Sequence, residues 1–384
     1  MKIDPAPGML LVAACMIFAA GISISSRAGE SGASVEQPVL DTPQAVYSTA
    51  CASCHGADGT GMPQATVGFD TPLPDFTDCS FATREPDGDW YAVAHQGGPV
   101  RGFDHRMPSF GMAAEAEQLE MAVKHIRTFC VEDGWPSGDL NQPRPMFTEK
   151  AFVEDEAVLT IGSAVQEPYE VLAELVYEKR FGKRSQLEIA IPFGAAEMEA
   201  ASEDESDEWV GGLGDVAFGL KHVLVAALST GSILSGIAEV VLPTGVEDDG
   251  LGGGVFVFEP GLTFSQSLGP AGFMHLQAGA EVPVEENPTP EAFWRAVYGY
   301  TFTEGAFGRA WSPMIEVLGS MDLESGASAH WDIVPQVQFS LNTRQHVMLG
   351  LATRIPLEPD NGRPIGVWLY LLWEWFDGGF GEGW

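Results

Sequence analysis

Basic side chains are scarce in this sequence. Lys and Arg number 19 against 54 Asp and Glu over 384 residues, a formal net charge of −35. Phosphate recognition needs clustered cations, so no nucleic-acid partner is expected. Long hydrophobic runs are missing too. None reaches the roughly 20 residues of a spanning helix, which excludes a helical membrane protein. A strand barrel is untouched by that test, because its hydropathy signal per strand is weak. Catalytic signatures are also absent. No nucleophile elbow, phosphate loop or H-E-x-x-H occurs, so an enzyme is not expected. Cysteine is rare, with five in all. Glycine and aromatic rings are plentiful, with 45 Gly, 22 Phe, 10 Trp and 7 Tyr. That mixture suits many strands joined by tight turns.

The first residues read as an address. Lys2 precedes an apolar stretch from Gly8 to Ile24, and Ser26-Arg27-Ala28 supplies small residues at a cleavage position. This is the form of a secretory signal over 1–28. Val12-Ala13-Ala14-Cys15 offers a lipoprotein box as an alternative. Either address takes the chain out of the cytoplasm, where disulfides are permitted. The expected order is then a spacer over 29–41, a small helical domain over 42–133, a Pro/Gly-rich linker over 134–154 and a strand barrel over 155–384.

The cysteines carry the sharpest signal. Cys51-Ala52-Ser53-Cys54-His55 reads C-x-x-C-H, the attachment signal for haem c. One helical turn presents both thiols to the two vinyl groups of one porphyrin. The histidine that follows puts an imidazole on the iron from the same side. A redox-active C-x-x-C pair that happens to precede His is the rival reading. For the sixth iron position, Met107, His105, His95 and Met112 are candidates. Met107 precedes Pro108, which fixes φ and lacks an N–H, so the loop can lie extended against a flat ring. Leu119, Val123, Ile126 and Phe129 recur at helical spacing and read as core. His125 lies off that stripe and reads as solvated. Cys79 and Cys130 remain as an even pair and are expected to form a disulfide.

From residue 42 to Cys130 the sequence resembles a class I cytochrome c. The matching pieces are the C-x-x-C-H, the Gly97-Gly98 turn, Met107-Pro108 and a final helix with Ile126 and Phe129. The resemblance implies one covalent haem c, with His55 as proximal ligand and Met107 as distal ligand. It also implies electron transfer, because both axial positions are filled and the thioether favours ferrous iron. A periplasmic redox partner protein follows.

After about residue 154 the periodicity changes from helical to two. Leu187, Ile189, Ile191 and Phe193 alternate with Gln186, Glu188 and Ala190, and Val367, Leu369, Leu371 and Trp373 with Trp368, Tyr370 and Glu374. About twelve such strands are expected, a barrel-compatible even number. Their connections alternate between short turns and longer, mostly acidic loops such as Glu203 to Glu208 and Glu247-Asp248-Asp249. The phase of that alternation puts both barrel ends, and the haem domain, on the periplasmic side. Aromatics near strand ends, including Trp294, Trp311, Trp373 and Trp375, suit interfacial girdles. The other phase holds charges: Glu174, Glu188, Asp215, Lys221, Glu239, Glu259, Arg295, Glu316, Asp332, Arg354 and Glu374. A soluble sandwich would have to turn these to water; a wet lumen accommodates them.

Gly212-Leu213-Gly214-Asp215-Val216-Ala217-Phe218-Gly219-Leu220-Lys221-His222, followed by Leu242-Pro243-Thr244-Gly245, resembles the outer-membrane transporter family named for the meta-pathway of phenol degradation. The order of signal, one C-x-x-C-H and barrel is also similar to the fused cytochrome–porins of iron-oxidising bacteria. The fold class expected is a small all-α cytochrome c domain followed by an all-β antiparallel outer-membrane barrel. The function expected is electron transfer at the periplasmic face of a pore in outer-membrane lipid. An electron conduit across the membrane, for example from extracellular Fe(II), and a cation or small-solute channel with a redox-linked cytochrome are the alternatives.

Overall fold

The alternation in the C-terminal half becomes strands because, in lipid, only closed strand pairing satisfies an extended backbone. The computed structural model describes residues 40–70, 72–166, 169–198, 208–247, 250–285, 288–358 and 363–374. The expected signal and Cys15, the acidic run 203–207, Asp248-Asp249 and Trp375 lie outside them.

The N-terminal part is helical. Helix α1 (Pro43–Ala50) starts with proline, and Thr42 accepts the N–H of Ala45. Helix α2 (Ala52–His55) follows without a break, then α3 (Gln64–Val67), α4 (Cys79–Ala82) and α5 (Asp87–Gln96). Helix α6 (Ala116–Arg127) opens on a capping box between Glu115 and Gln118. It packs on α1, with Leu119, Ala122 and Val123 of α6 and Val46 and Tyr47 of α1 all buried. Cys79 and Cys130 are bridged across a sequence separation of 51.

The strands are β1 (Glu156–Ala164), β2 (Glu170–Phe181), β3 (Ser185–Met198), β4 (Glu208–Leu213), β5 (Ala217–Ala227), β6 (Ser232–Val241) and β7 (Val257–Leu268). They continue as β8 (Gly272–Pro283), β9 (Glu291–Tyr300), β10 (Phe302–Thr303), β11 (Ala310–Asp322), β12 (His330–Ser340), β13 (Val347–Pro356) and β14 (Gly366–Glu374). The segments β4 and β5 both pair β3, and β9 and β10 both pair β11, so each couple is one interrupted stave and the barrel has twelve. It closes by antiparallel pairing of β1 with β14, from Glu156 opposite Glu374 to Ala164 opposite Gly366. Every strand pairing among the described residues is antiparallel, and the sheet closes on itself. Outward residues such as Leu187, Phe193, Leu220, Leu262, Tyr298 and Leu351 are exposed, whereas Gln186, Ser235, Thr263 and Gln336 are buried inside. An apolar outer band over a polar interior is a surface made for lipid.

The helical part stands on the rim formed by the short turns. Arg184, in the turn after β2, donates to the carbonyl of Gly134 at 2.7 Å. Arg101 donates to the carbonyls of Phe307 and Thr343, in the turns before β11 and after β12, at 3.0 and 2.8 Å. Both barrel ends, Glu156 and Glu374, reach this same rim.

The stretch over 134–154, read from sequence as a linker, is not a spacer in solvent. Residues 141–155 dip into the lumen and return, forming a strap. The backbone of the strap is irregular, so its polar groups need partners, and inward side chains provide them. Met146 N–H donates to Gln336 at 2.8 Å, Thr148 N–H to Glu316 at 2.7 Å, Glu149 N–H to Gln277 at 3.0 Å and Glu154 N–H to Gln186 at 2.7 Å. Ser235 and Thr263 donate to the carbonyls of Ala151 and Glu149. Pro143 can only accept, so Nε2 of His275 donates to its carbonyl at 3.1 Å and Nδ1 is left for the Ser265 hydroxyl at 2.7 Å. Charges are matched as well. Arg144 lies 2.6 Å from Glu156 and 3.3 Å from Glu178, both fully buried, and Lys221 lies 2.8 Å from Glu149. The lumen expected to be wet is thus filled at its short-turn half.

Two stability predictions follow from this packing. Arg144→Ala takes the shared cation from buried Glu156 and Glu178, which costs about 3–5 kcal/mol. It should lower the temperature at which the folded barrel band disappears in heat-modified gel electrophoresis. Replacing Cys79 and Cys130 by serine releases a loop worth about 4 kcal/mol. Denaturant unfolding followed in the helical signal should shift to lower midpoint, while the barrel transition stays put.

Candidate haem-binding site

The turn from α1 into α2 sets the site. Cys54 and His55 N–H groups both donate to the carbonyl of Cys51, at 3.1 and 2.9 Å. Two thiols and one imidazole therefore share a single helical turn. Tyr47, buried in α1, donates its hydroxyl to the carbonyl of Gly56 at 2.8 Å and pins the turn that follows. Gly59 has φ +80°, and a Cβ there would lie 2.6 Å from the Phe129 ring, so only glycine lets this loop approach the end of α6. The Phe129 ring also meets His125, whose own ring lies 4.9 Å from Tyr47. His125 is therefore packed between aromatics rather than solvated, because the turn of α6 that carries it faces α1.

The chemistry of the donors discriminates between the two sequence readings. Burial pushes the Cys51 thiol up to about 11. An attacking thiol in a redox-active pair needs the opposite shift. Cys51 and Cys54 are also unbridged while Cys79 and Cys130 are joined. Desolvation lowers His55 to about 4, so its imidazole is neutral and has a lone pair to offer. Its Nδ1 is buried with no hydrogen-bond partner, and its ring stacks on Phe76 at 4.9 Å. These residues fit a haem c: Cys51 and Cys54 could hold the vinyl carbons, and His55 the iron.

Met107 is half-buried in a loop bonded to the end of α5. Gly98 N–H donates to its carbonyl at 3.0 Å, and Phe110 and Gly111 N–H groups donate to Ala94 and His95 carbonyls at 3.0 Å. Arg106 secures the other side, gripping Asp70 and donating to Asp104 at 2.6 Å. That guanidinium holds the Asp104 carboxyl well below the usual range. The two histidines expected as alternatives lie as follows. His105 is mostly exposed and lies 3.2 Å from Asp104. His95 shares Nδ1 with the Gln96 amide at 2.9 Å and packs its ring on Phe307 of the barrel at 5.0 Å. Met112 is wholly exposed.

The charges expected in the lumen divide into three groups. Glu188, Lys221, Glu239, Arg295 and Glu316 lie on the inner faces, with Glu239 opposite Glu259 in register. Glu316 accepts from Thr148 and from Gln336, and Arg295 donates to the carbonyl of Phe147, so these two hold the strap. Asp332 is paired with Arg354 at 2.6 Å and Arg363 at 3.0 Å near the long-loop rim. Asp215 is no lumen charge: it accepts the N–H groups of Gly245 and Gly253 at 2.8 and 2.7 Å and ties down the loop after β6. The break between β4 and β5 turns it toward that loop. Sequence reasoning missed Arg144, Glu149, Lys150, Glu156 and Glu178, which meet in the strap layer, and Arg101 and Phe307, which join the two parts. No local pattern marks them.

The sequence pattern of the family "cytochrome C oxidase, cbb3-type, subunit III" matches residues 38–126. The helical part is a cytochrome domain, fused to the twelve-stranded barrel. Among solved structures, an outer membrane channel from Pseudomonas putida F1 is similar at 12% identity and a TM-score of 0.45, covering 61% of this chain and 100% of that one. The NanC porin is similar at 5% identity and a TM-score of 0.41, covering 57% and 99%. The closed strand register stands independently of these likenesses. No curated protein sequence matches the chain.

The donor set predicts a pattern of losses in protein made with cytochrome maturation factors. Cys51→Ala, Cys54→Ala or His55→Ala should abolish or weaken the haem-staining band after denaturing electrophoresis. Met107→Ala should keep that band, lower the midpoint potential and admit an external ligand such as imidazole.

Proposed function

We propose that this chain carries electrons through one covalently held haem c at the periplasmic rim of the outer membrane, with the barrel as its anchor. The observation that carries the reading is the docking of the cytochrome domain on the short-turn rim, where both barrel ends also lie. Outer-membrane barrels keep their short turns on the periplasmic side, so the haem domain faces the periplasm. The bound haem would supply an iron that cycles between ferric and ferrous states. Cys51, Cys54 and His55 would hold the group in place, and Met107 would offer its thioether as a second ligand. Phe76 packs its ring against His55 and shields that imidazole. Acidic residues outnumber basic ones over 42–133, so the partner protein presents a basic face.

The strap counts against a passive solute channel. Its polar groups and charges are matched to the lumen wall from β1 to β14, and mid-lumen residues Glu316 and Gln336 close on it. A second reading, an electron conduit fed by an external cation, is favoured by the carboxylates beyond the strap. Glu174, Glu239, Glu259 and Glu281 line the half of the lumen that opens toward the long loops. A core about 30 Å thick separates that opening from the short-turn rim.

Proteoliposomes separate these readings. The anchor reading expects haem reduction by a reductant on the cytochrome side, no reduction of an electron acceptor trapped across the membrane, and no ion leak above that of empty vesicles. Reduction of the trapped acceptor by Fe(II) supplied at the long-loop side would replace it with the conduit. A steady leak would replace it with the channel.

A further inference from the structure

We infer that two turns of the barrel hold the loop carrying Met107, so that the barrel positions the distal ligand of the haem as well as anchoring the domain. The inference rests on the electron-transfer reading above.

Arg101 is the joint. It is buried at the end of the 3-10 turn Gly98–Arg101 that follows α5. Its guanidinium grips Asp89 of α5 and donates to the carbonyls of Phe307 and Thr343, which belong to two different barrel turns. A planar fork with fixed donor directions leaves little freedom to the groups it joins. Phe307 adds a second contact, its ring 6.0 Å from Tyr91 and 5.0 Å from His95. A third comes from Arg344, which lies where a Cβ on Gly102 would be.

The two turns are themselves tied. Gln345 has φ +64°, the one non-glycine residue in the left-handed region among the described residues, and its amide donates to the carbonyl of Gly308 at 2.8 Å. Backbone strain of this kind persists where the surroundings dictate it.

The same stretch of α5 grips the Met107 loop from its other end. Besides the backbone bonds already described, Ser109 donates its hydroxyl to the carbonyl of His95 at 2.6 Å. A Cβ on Gly97 would lie 2.9 Å from the Met107 carbonyl oxygen, so the two chains run in direct backbone contact. Residues 91–101 thus touch the barrel on one side and the ligand loop on the other. A loosening at the barrel reaches Met107 through a single short segment.

The test uses the full haem-loaded chain in lipid nanodiscs. Arg101→Gln and Phe307→Ala are compared with Phe307→Tyr, which keeps the ring, and with Arg184→Ala, which loosens the far side of the interface. The readouts are the midpoint potential and the far-red sulfur-to-iron band of the oxidised protein. Arg101→Gln and Phe307→Ala should keep full haem content, lower the potential and weaken the far-red band. Phe307→Tyr and Arg184→Ala should match the parent. Parent-like potential and band in both Arg101→Gln and Phe307→Ala would overturn the inference. If Arg101→Gln fails to fold, Gln345→Gly, which removes the bond between the turns, takes its place with the same expected shift. Absence of the far-red band in the parent protein would remove Met107 from the iron, overturning this inference together with the ligand assignment beneath it.

Discussion

A carboxylate turned into the lumen of a barrel has to meet a cation or keep its water. Here Glu156 and Glu178 are fully buried. They sit opposite one another in register on β1 and β2, where two like charges would repel. Arg144 lies between them, with Lys150 3.6 Å from Glu156 on its other oxygen. Both cations come from the strap, not from the barrel wall. The wall is therefore built for an insert, and the strap is as much a part of the barrel as any stave. Only residues 131–140 separate the strap from the last disulfide cysteine of the cytochrome domain. With Arg84, Arg101 and Arg184 bound across the rim as well, the domain is held there.

That dependence explains which features were legible in the sequence. Strand alternation is a local property: Leu187 and Ile189 face lipid because their neighbours Gln186 and Glu188 face inward, and a window of a few residues shows it. C-x-x-C-H is equally local, since one helical turn holds the whole chemistry. The disulfide followed from an even count in an exported chain. The strap has no period. Its prolines, with Gly134 and Gly138 just before it, read as a breaker-rich linker, and its partners, from Gln186 to Tyr370, are distant in the chain. Composition tells that a segment is irregular but not what satisfies its backbone. Asp215 shows the same limit at smaller scale. Its position in the alternating phase pointed inward, but the break after β4 turns it to the backbone of another loop.

Glu316 and Arg295 face inward, but they meet the strap rather than a wet lumen. A count of ionisable residues on one phase shows that a wall is polar. It does not show whether the polar wall faces water or protein, because both satisfy the same side chains. Glu316 illustrates this: its two oxygens take Thr148 and Gln336 in place of solvent.

A pore gated by the haem would need a strap with two arrangements of comparable energy. Asp155, where the strap meets β1, argues for one. It is buried, and it is held by Arg84 of the cytochrome domain at 2.7 Å, by Lys179 of β2 at 2.7 Å and by the N–H of Arg180 at 3.1 Å. Withdrawing the strap breaks all three at once and leaves Arg180, itself buried, without this carboxylate. The partners come from the helical domain and from the barrel, so no motion of either alone relieves the loss. A rim that fixes the strap in this way also fixes the height of the cytochrome above the lipid. For electron transfer, whose rate falls steeply with distance, a constant height is the useful property, and a barrel that gave up its strap would lose it.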